Sequence, residues 1–208
     1  DGVIDGGKGT ADDHGDLKVI GNTLPRYEYS FHLGGSWKGI DLDLFFQGVG
    51  KRDMWTTSSL FIPHAAGAQM NIFENQLDYW TESNQNAKFP RPYINGAFGS
   101  LSGLPGNSGC NNFAPQTKYL NNLAYLRVKN LTIGYTLPQN LTRKIFVEKL
   151  RFYFSAQNLL TFDHINGVMD PECTGGWSST YTNGIDMTYA GRAMPFNRQW
   201  TCGLQITF

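Results

Sequence analysis

The chain has 208 residues and carries 17 basic and 17 acidic side chains, so its net charge is zero. That balance excludes a polyanion-binding protein, which needs a basic excess or stripe. Only 16% of residues are charged, 14% are aromatic and 24 are glycine, a mixture that suits β structure with long loops and not a helical bundle.

Residues 1–25 read as a loop rich in glycine and aspartate. Asp1 is not a natural start, so the chain is expected to be processed or to be a fragment. The first strand is predicted over residues 26–37, "RYEYSFHLGGSW". Tyr27, Tyr29, Phe31 and Leu33 share one face, while Arg26, Glu28, Ser30 and His32 share the other. "KGI" then gives a tight turn into a second strand over residues 40–48. There Ile40, Leu42, Leu44 and Phe46 oppose Asp41, Asp43 and Gln47. Period-two alternation around a tight turn predicts a hairpin. Residues 51–123 form a long loop. Within it Met70, Phe73, Leu77 and Trp80 fall at helical spacing, which predicts one short amphipathic helix. The third strand spans residues 124–138. Leu131, Ile133, Tyr135 and Leu137 share a face, but Leu126 and Val128 fall out of phase with them, which predicts a bulge or a change of environment near Asn130. The fourth strand, residues 149–162, sets Leu150, Phe152, Phe154, Ala156, Leu160 and Phe162 against Arg151, Ser155, Gln157 and Thr161. Residues 163–197 form another long loop. The fifth strand, residues 198–208, sets Trp200, Cys202, Leu204, Ile206 and Phe208 against Gln199, Thr201, Gly203, Gln205 and Thr207.

The connections discriminate between architectures. Strands one and two, and strands three and four, are joined by short segments. The other two connections are long. In an up-and-down sheet, short turns therefore lie at one end and long loops at the other, as in outer-membrane barrels. Alternation alone also fits a soluble sandwich. The rings add weight. Trp200 and Phe208 are eight steps apart, roughly 26 Å at about 3.3 Å per residue. Tilted by about 40°, that spans roughly 20 Å, close to an apolar band of about 25 Å with aromatic girdles at its edges. The expected fold is all-β, an antiparallel transmembrane barrel segment. No apolar run reaches the roughly 18 residues of a membrane helix, which does not bear on strands.

No Ser-His-Asp or Cys-His arrangement and no phosphate-binding glycine loop is present, so no enzymatic activity is expected. Asp41 and Asp43 share a strand face and are expected to line a wet lumen, as is His32. Cys110, Cys173 and Cys202 lack zinc-site spacing. Cys110 and Cys173 sit in glycine-rich loops and form a candidate disulfide in an oxidising compartment. Ring stacking is how proteins hold sugars, so the loop aromatics Trp55, Trp177, Tyr181 and Tyr189 are the candidate ligand contacts.

Several stretches resemble one family in family order. They are "IGNTLPRYEYSFHLGGSWKGIDLDLFFQG", "YWTESNQNAKFPRP", "YLRVKNLTIGYTLP", "KLRFYFSAQNLLTF", "DPE" and "GLQITF". Together they resemble the C-terminal part of SusC/RagA-type TonB-dependent outer-membrane transporters, over nearly the whole chain. The resemblance implies a barrel of about 22 strands with a plugged lumen, of which this chain supplies about five strands. Residues 1–25, 51–123 and 163–197 would be its extracellular loops. It implies import of an oligosaccharide or glycan, or of an oligopeptide, through the outer membrane of a Bacteroidetes-type bacterium. Implied partners are a SusD-like surface lipoprotein acting as a lid, TonB through an N-terminal region outside this chain, the remaining barrel and plug, and outer-membrane lipid; no nucleic acid is implied. Trp55, Trp177, Tyr181 and Tyr189 would then touch substrate or lid. Trp200, Leu204, Ile206 and Phe208 resemble the signal read by the barrel-insertion machinery. The family often carries D-x-N-G-D-G-x-I-D before these strands. Asp1 and Asp5 match its later acids, giving a candidate partial Ca²⁺ site completed upstream, although Lys8 stands where a full Ca²⁺ loop has a bidentate acid. The alternatives are a passive porin, a soluble carbohydrate-binding sandwich and a surface glycosidase.

Overall fold

The computed structural model describes residues 5–56, 58–63, 71–90, 115–174, 191 and 193–208. In chain order its strands are β1 (Glu28–Trp37), β2 (Ile40–Val49), β3 (Asp53–Met54), β4 (Asn121–Asn122), β5 (Tyr125–Thr136), β6 (Lys149–Asp163) and β7 (Gln199–Thr207), with a one-turn helix α1 (Gln139–Thr142) between β5 and β6. The chain divides into two compact units.

One unit comprises Pro25–Lys51, Leu123–His164 and Pro195–Phe208. It is a five-stranded antiparallel sheet in the order β1-β2-β5-β6-β7. All five strands expected from alternation are present, with ends shifted by a residue or two. The β1–β2 turn is two residues long, and Trp37 pairs with Ile40 across it. Lys38 and Gly39 both adopt positive φ, 49° and 87°, the backbone that matches strand twist in a two-residue hairpin. A side chain on Gly39 would meet the Thr136 carbonyl at 2.6 Å.

The predicted irregularity near Asn130 is a bulge. Phe45 pairs with Asn130 but Phe46 pairs with Val128, so Lys129 is an inserted residue relative to β2. On the other side Asn130 pairs with Gln157 and Val128 with Leu160. Asn158, within that step, takes φ 51°, a conformation asparagine tolerates better than most side chains. The inserted residue shifts the phase by one. Leu126 and Val128 thereby return to the face of Leu131, Ile133 and Tyr135.

The β5–β6 connection is closed by its own hydrogen bonds. Val147 N donates to Thr142 O at 3.2 Å and Glu148 N to Thr207 O at 2.9 Å. Thr142 and Val147 are buried. Phe146 closes the Arg143–Ile145 3₁₀ turn in a left-handed conformation, φ 58°.

The other unit comprises Asp1–Leu24, Arg52–Asn122 and Ile165–Met194. It has its own core, with Met54, Ile62, Phe89 and Pro171 almost fully buried. Phe89 and Tyr119 stack with centroids 5.8 Å apart. Arg52 ties its three segments together: Nε donates to Thr23 O at 2.9 Å and Nη2 to Thr174 Oγ1 at 3.0 Å. The paired strands β3 and β4 belong here.

The expected amphipathic helix of this unit is corrected to a single 3₁₀ turn, Glu74–Gln76. Its buried residue is the polar Gln76, while Leu77 is exposed. Gln76 Oε1 accepts from Phe73 N at 3.2 Å and its Nε2 donates to Ser59 O at 2.6 Å. A side chain that holds two backbone groups fixes the turn, and the apolar spacing there does not mark a buried stripe.

Candidate functional site

The sheet presents two chemically opposite faces. One carries Phe31, Leu33 and Trp37 of β1, Ile40, Leu42, Leu44 and Phe46 of β2, Ile133 and Tyr135 of β5, Phe152 and Phe154 of β6, and Trp200, Leu204 and Ile206 of β7; the register aligns them row by row. Phe31, Leu33, Trp37, Ile133, Phe152, Trp200 and Leu204 are all exposed. Within the sheet unit no element covers this face. Soluble monomers rarely expose a contiguous apolar patch of more than a few hundred Å². Such a face has to lie against apolar material.

The opposite face is polar and bonded across strands. Arg151 on β6 reaches over β5 to Asp41 on β2: Nε donates to Oδ1 at 2.9 Å and Nη2 to Oδ2 at 2.5 Å. The residue beneath the bridge is Gly134, which pairs with Asp41 in the ladder. A Cβ there would sit 2.5 Å from both Arg151 Nη2 and Asp41 Oδ1. Glycine at this point is what lets the two charges meet. His32 Nε2 lies 2.5 Å from Asp43 Oδ2. Thr132 Oγ1 and Ser155 Oγ are 3.2 Å apart across β5 and β6. Arg127 is buried and its Nε donates to Thr161 Oγ1 at 2.9 Å. Tyr153 lies over Gly203, whose added Cβ would sit 2.2 Å from the Tyr153 ring; an aromatic ring commonly covers a strand glycine in this way.

Asp41 and Asp43 do share the polar face, as does His32. They do not act as a pair, because each carboxylate is held by a different side chain, Asp41 by Arg151 and Asp43 by His32. The Asp41–Arg151 contact is the feature that alternation could not show. Its sequence signal was Gly134, a glycine inside an otherwise regular strand, which marks close approach of other atoms.

Of the loop aromatics, Trp55 follows β3 and is half-buried. Trp177, Tyr181 and Tyr189 lie outside the described residues, as does Cys110 of the candidate disulfide with Cys173. Asp5 belongs to a small loop in which its Oδ1 accepts from Gly7 N at 2.9 Å and its backbone N donates to Asp16 Oδ2 at 3.0 Å. Asp1 is outside the described residues. Among the described residues no group of three or more His, Cys, Asp or Glu could hold a metal ion, so the described acids do not by themselves fit Ca²⁺. Trp200, Leu204 and Ile206 line the apolar face of β7, and Phe208 follows that strand.

No family model matches the chain. TonB-dependent receptor P3 of Formosa agariphila is 26% identical over 193 residues, covering 93% of this chain and 17% of the relative. A second TonB-dependent receptor of that organism is 25% identical over 193 residues, 93% of this chain and 18% of its own length. Among solved structures, the RagAB peptide importer in its closed-closed state matches with TM-score 0.60 and 26% identity over 96% of this chain and 20% of that one. The RagAB peptide transporter matches with TM-score 0.62 and 27% identity over 93% of this chain and 18% of that one. Over nearly its whole length the chain is similar to TonB-dependent receptors and to the barrel of the RagAB transporters.

The five-stranded sheet is thus an arc of barrel wall, open within this chain because it spans under a fifth of the length of the curated relatives it matches. As barrel wall, its apolar face is the outer one and its bonded polar face the lumenal one. The Lys38–Gly39 turn and the β5–β6 connection leave one end of the wall. The connections from β2 to β5 and from β6 to β7 leave the other.

Proposed function

We propose that this chain forms part of the wall and extracellular loops of an outer-membrane importer that takes up a nutrient oligomer, powered through TonB and assisted by a SusD-like surface lipoprotein. The observation that carries this reading is the pairing of an uncovered apolar face with a polar face bonded across strands on one five-stranded meander. A soluble sandwich needs a second layer over its apolar face. The substrate class is an oligopeptide or an oligosaccharide. The RagAB proteins similar to this chain are described as a peptide importer and transporter, which supports testing oligopeptides first. The cargo crosses without chemical turnover, and work is done by energy delivered from outside the barrel. On the same reading Trp55, Trp177, Tyr181 and Tyr189 contact substrate or lid, and Trp200, Leu204, Ile206 and Phe208 contribute to the assembly signal.

The test uses the intact protein in its native host. It should fractionate with the outer membrane and require detergent for extraction. Uptake of a labelled oligopeptide or oligosaccharide pool should collapse with an uncoupler and on deletion of the neighbouring surface lipoprotein gene. Recovery in a detergent-free soluble extract refutes the barrel. Uptake indifferent to the uncoupler replaces the active importer with a passive porin.

A further inference from the structure

The short-turn end of the sheet carries a group of side chains that folding alone does not explain. Phe146 is 91% exposed and sits at φ 58°. That region is unfavourable for a bulky side chain and is normally left to glycine or asparagine. Neighbouring apolar side chains Leu141 and Ile145 are also exposed, as is Trp37, at 69%, in the adjacent hairpin turn. The connection is nonetheless rigid, since Thr142 and Val147 are buried and the chain is closed by the hydrogen bonds described above. Three exposed cations interleave with these rings and aliphatic groups: Lys38, Arg143 and Lys144. Lys38 Nζ lies 4.6 Å from the centroid of the Trp37 ring. In residues 37–40 and 139–148 the one acid is Glu148. Lys149 is the next residue but lies on the lumenal face, paired in register with Thr207.

Exposed rings and aliphatics among exposed cations are unfavourable in water. They are favourable at the boundary of a lipid layer, where rings sit at headgroup level and cations meet phosphate. A binding protein with an acidic face would satisfy the cations but would need its own apolar socket for Phe146, Ile145, Leu141 and Trp37. A lipid surface satisfies both without shape complementarity. We propose that the 139–148 connection, together with Trp37 and Lys38, is an interfacial anchor that binds the headgroups of anionic phospholipid in the inner leaflet of the outer membrane. The apolar side chains enter the acyl boundary and Lys38, Arg143 and Lys144 hold the phosphates. The anchor rests on the outer-membrane reading given above.

The intact transporter is reconstituted in nanodiscs of phosphatidylethanolamine with and without phosphatidylglycerol, and the lipids retained after mild detergent extraction are counted by native mass spectrometry. Phosphatidylglycerol should be enriched over its bulk share. Changing Lys38, Arg143 and Lys144 together to Gln should abolish that enrichment, each charge being worth up to about fivefold in affinity. Phe146→Gly removes the ring and relieves the backbone. It should weaken lipid retention while leaving the thermal stability of the detergent-solubilised barrel unchanged or raised. Absence of enrichment in the wild type, or enrichment that survives the triple change, overturns the anchor. So does a Phe146→Gly protein that is less stable in detergent yet retains lipid normally, because Phe146 is then structural. A folded, importing barrel with no lipid preference removes the anchor alone. Failure to fractionate with the outer membrane removes both the anchor and the importer reading.

Discussion

Gly134→Ala tests whether the lumenal face is held by the Asp41–Arg151 bridge. The new methyl would sit 2.5 Å from Arg151 Nη2, 2.5 Å from Asp41 Oδ1 and 2.6 Å from Arg151 Nε, so the bridge must move or break. Two charge-assisted hydrogen bonds are at stake, each worth about 1.5–3 kcal/mol when well shielded. The Arg151 and Asp41 side chains are 20% and 33% exposed, so solvent screening brings the pair to about 1–2 kcal/mol. Against this, alanine restricts the unfolded chain and returns about 0.4–1 kcal/mol. The net expectation is a loss of about 0.5–1 kcal/mol. The assay is the urea or thermal unfolding midpoint of the intact barrel in detergent, read by its heat-modifiable gel mobility. The decisive comparison is the same change made with Asp41→Ala and Arg151→Ala already present. There the three atoms nearest the methyl are gone, and Gly134→Ala should be neutral or stabilising by up to about 1 kcal/mol. The reversal of sign gives a coupling of about 1–2 kcal/mol. An equal cost in both backgrounds refutes the argument, because the strain would then come from the backbone of β5.

Leu44→Arg places a charge in the middle row of the apolar face, between Leu33 and Leu131, and should cost about 2–4 kcal/mol as a lipid-facing substitution. Gln47→Asn, on the lumenal face of the same strand, adds no charge opposite Arg127 and should leave the assembled fraction in the outer membrane unchanged. In the loop unit, Asn84 Nδ2 and Lys88 N both donate to the Asp78 carboxylate at 3.0 Å, and these bonds hold its pKa below the usual value. A lowered carboxylate pKa contributes stability that is complete above the unfolded value, about 3.9, and is lost as pH falls through the folded one. The protection factors of residues 78–89, hydrogen exchange corrected for its intrinsic pH dependence, should therefore be flat near neutrality and fall only below about pH 4, and Asp78→Asn should remove that acid dependence.

The strands were legible because lipid and water impose the alternation on every residue of the sheet, and nothing tertiary competes with it. The bulge was legible as a break of phase, yet its consequence was not. Leu126 and Val128 seemed to change face, whereas the inserted Lys129 keeps them on it. The Asp41–Arg151 bridge was out of reach because its partners are separated by a whole strand, a distance that a strand-by-strand pattern does not record. The loop helix failed for a related reason. Spacing of Phe73, Leu77 and Trp80 counts apolar residues, but the turn is fixed by Gln76, whose amide bonds to Ser59 and Phe73 are invisible to hydropathy.

The two faces also differ in how specifically they must be made. On the lumenal side several polar groups have a named partner: Asp41 with Arg151, Asp43 with His32, Arg127 with Thr161. Where this face is partly shielded from water a charge without a partner is costly, and partners must be placed by register and by glycines that clear the way. On the lipid side the one ring stack resolved within the sheet unit is Phe31 on Phe46, centroids 4.4 Å apart. Lipid accepts any apolar side chain, so that face requires hydrophobicity and little more. Substitutions among apolar residues should therefore be tolerated outside, while exchanges inside that break one of these pairs should not. Leu42→Ile should be close to silent where Arg151→Lys, which cannot form the two-pronged contact with Asp41, should weaken the wall.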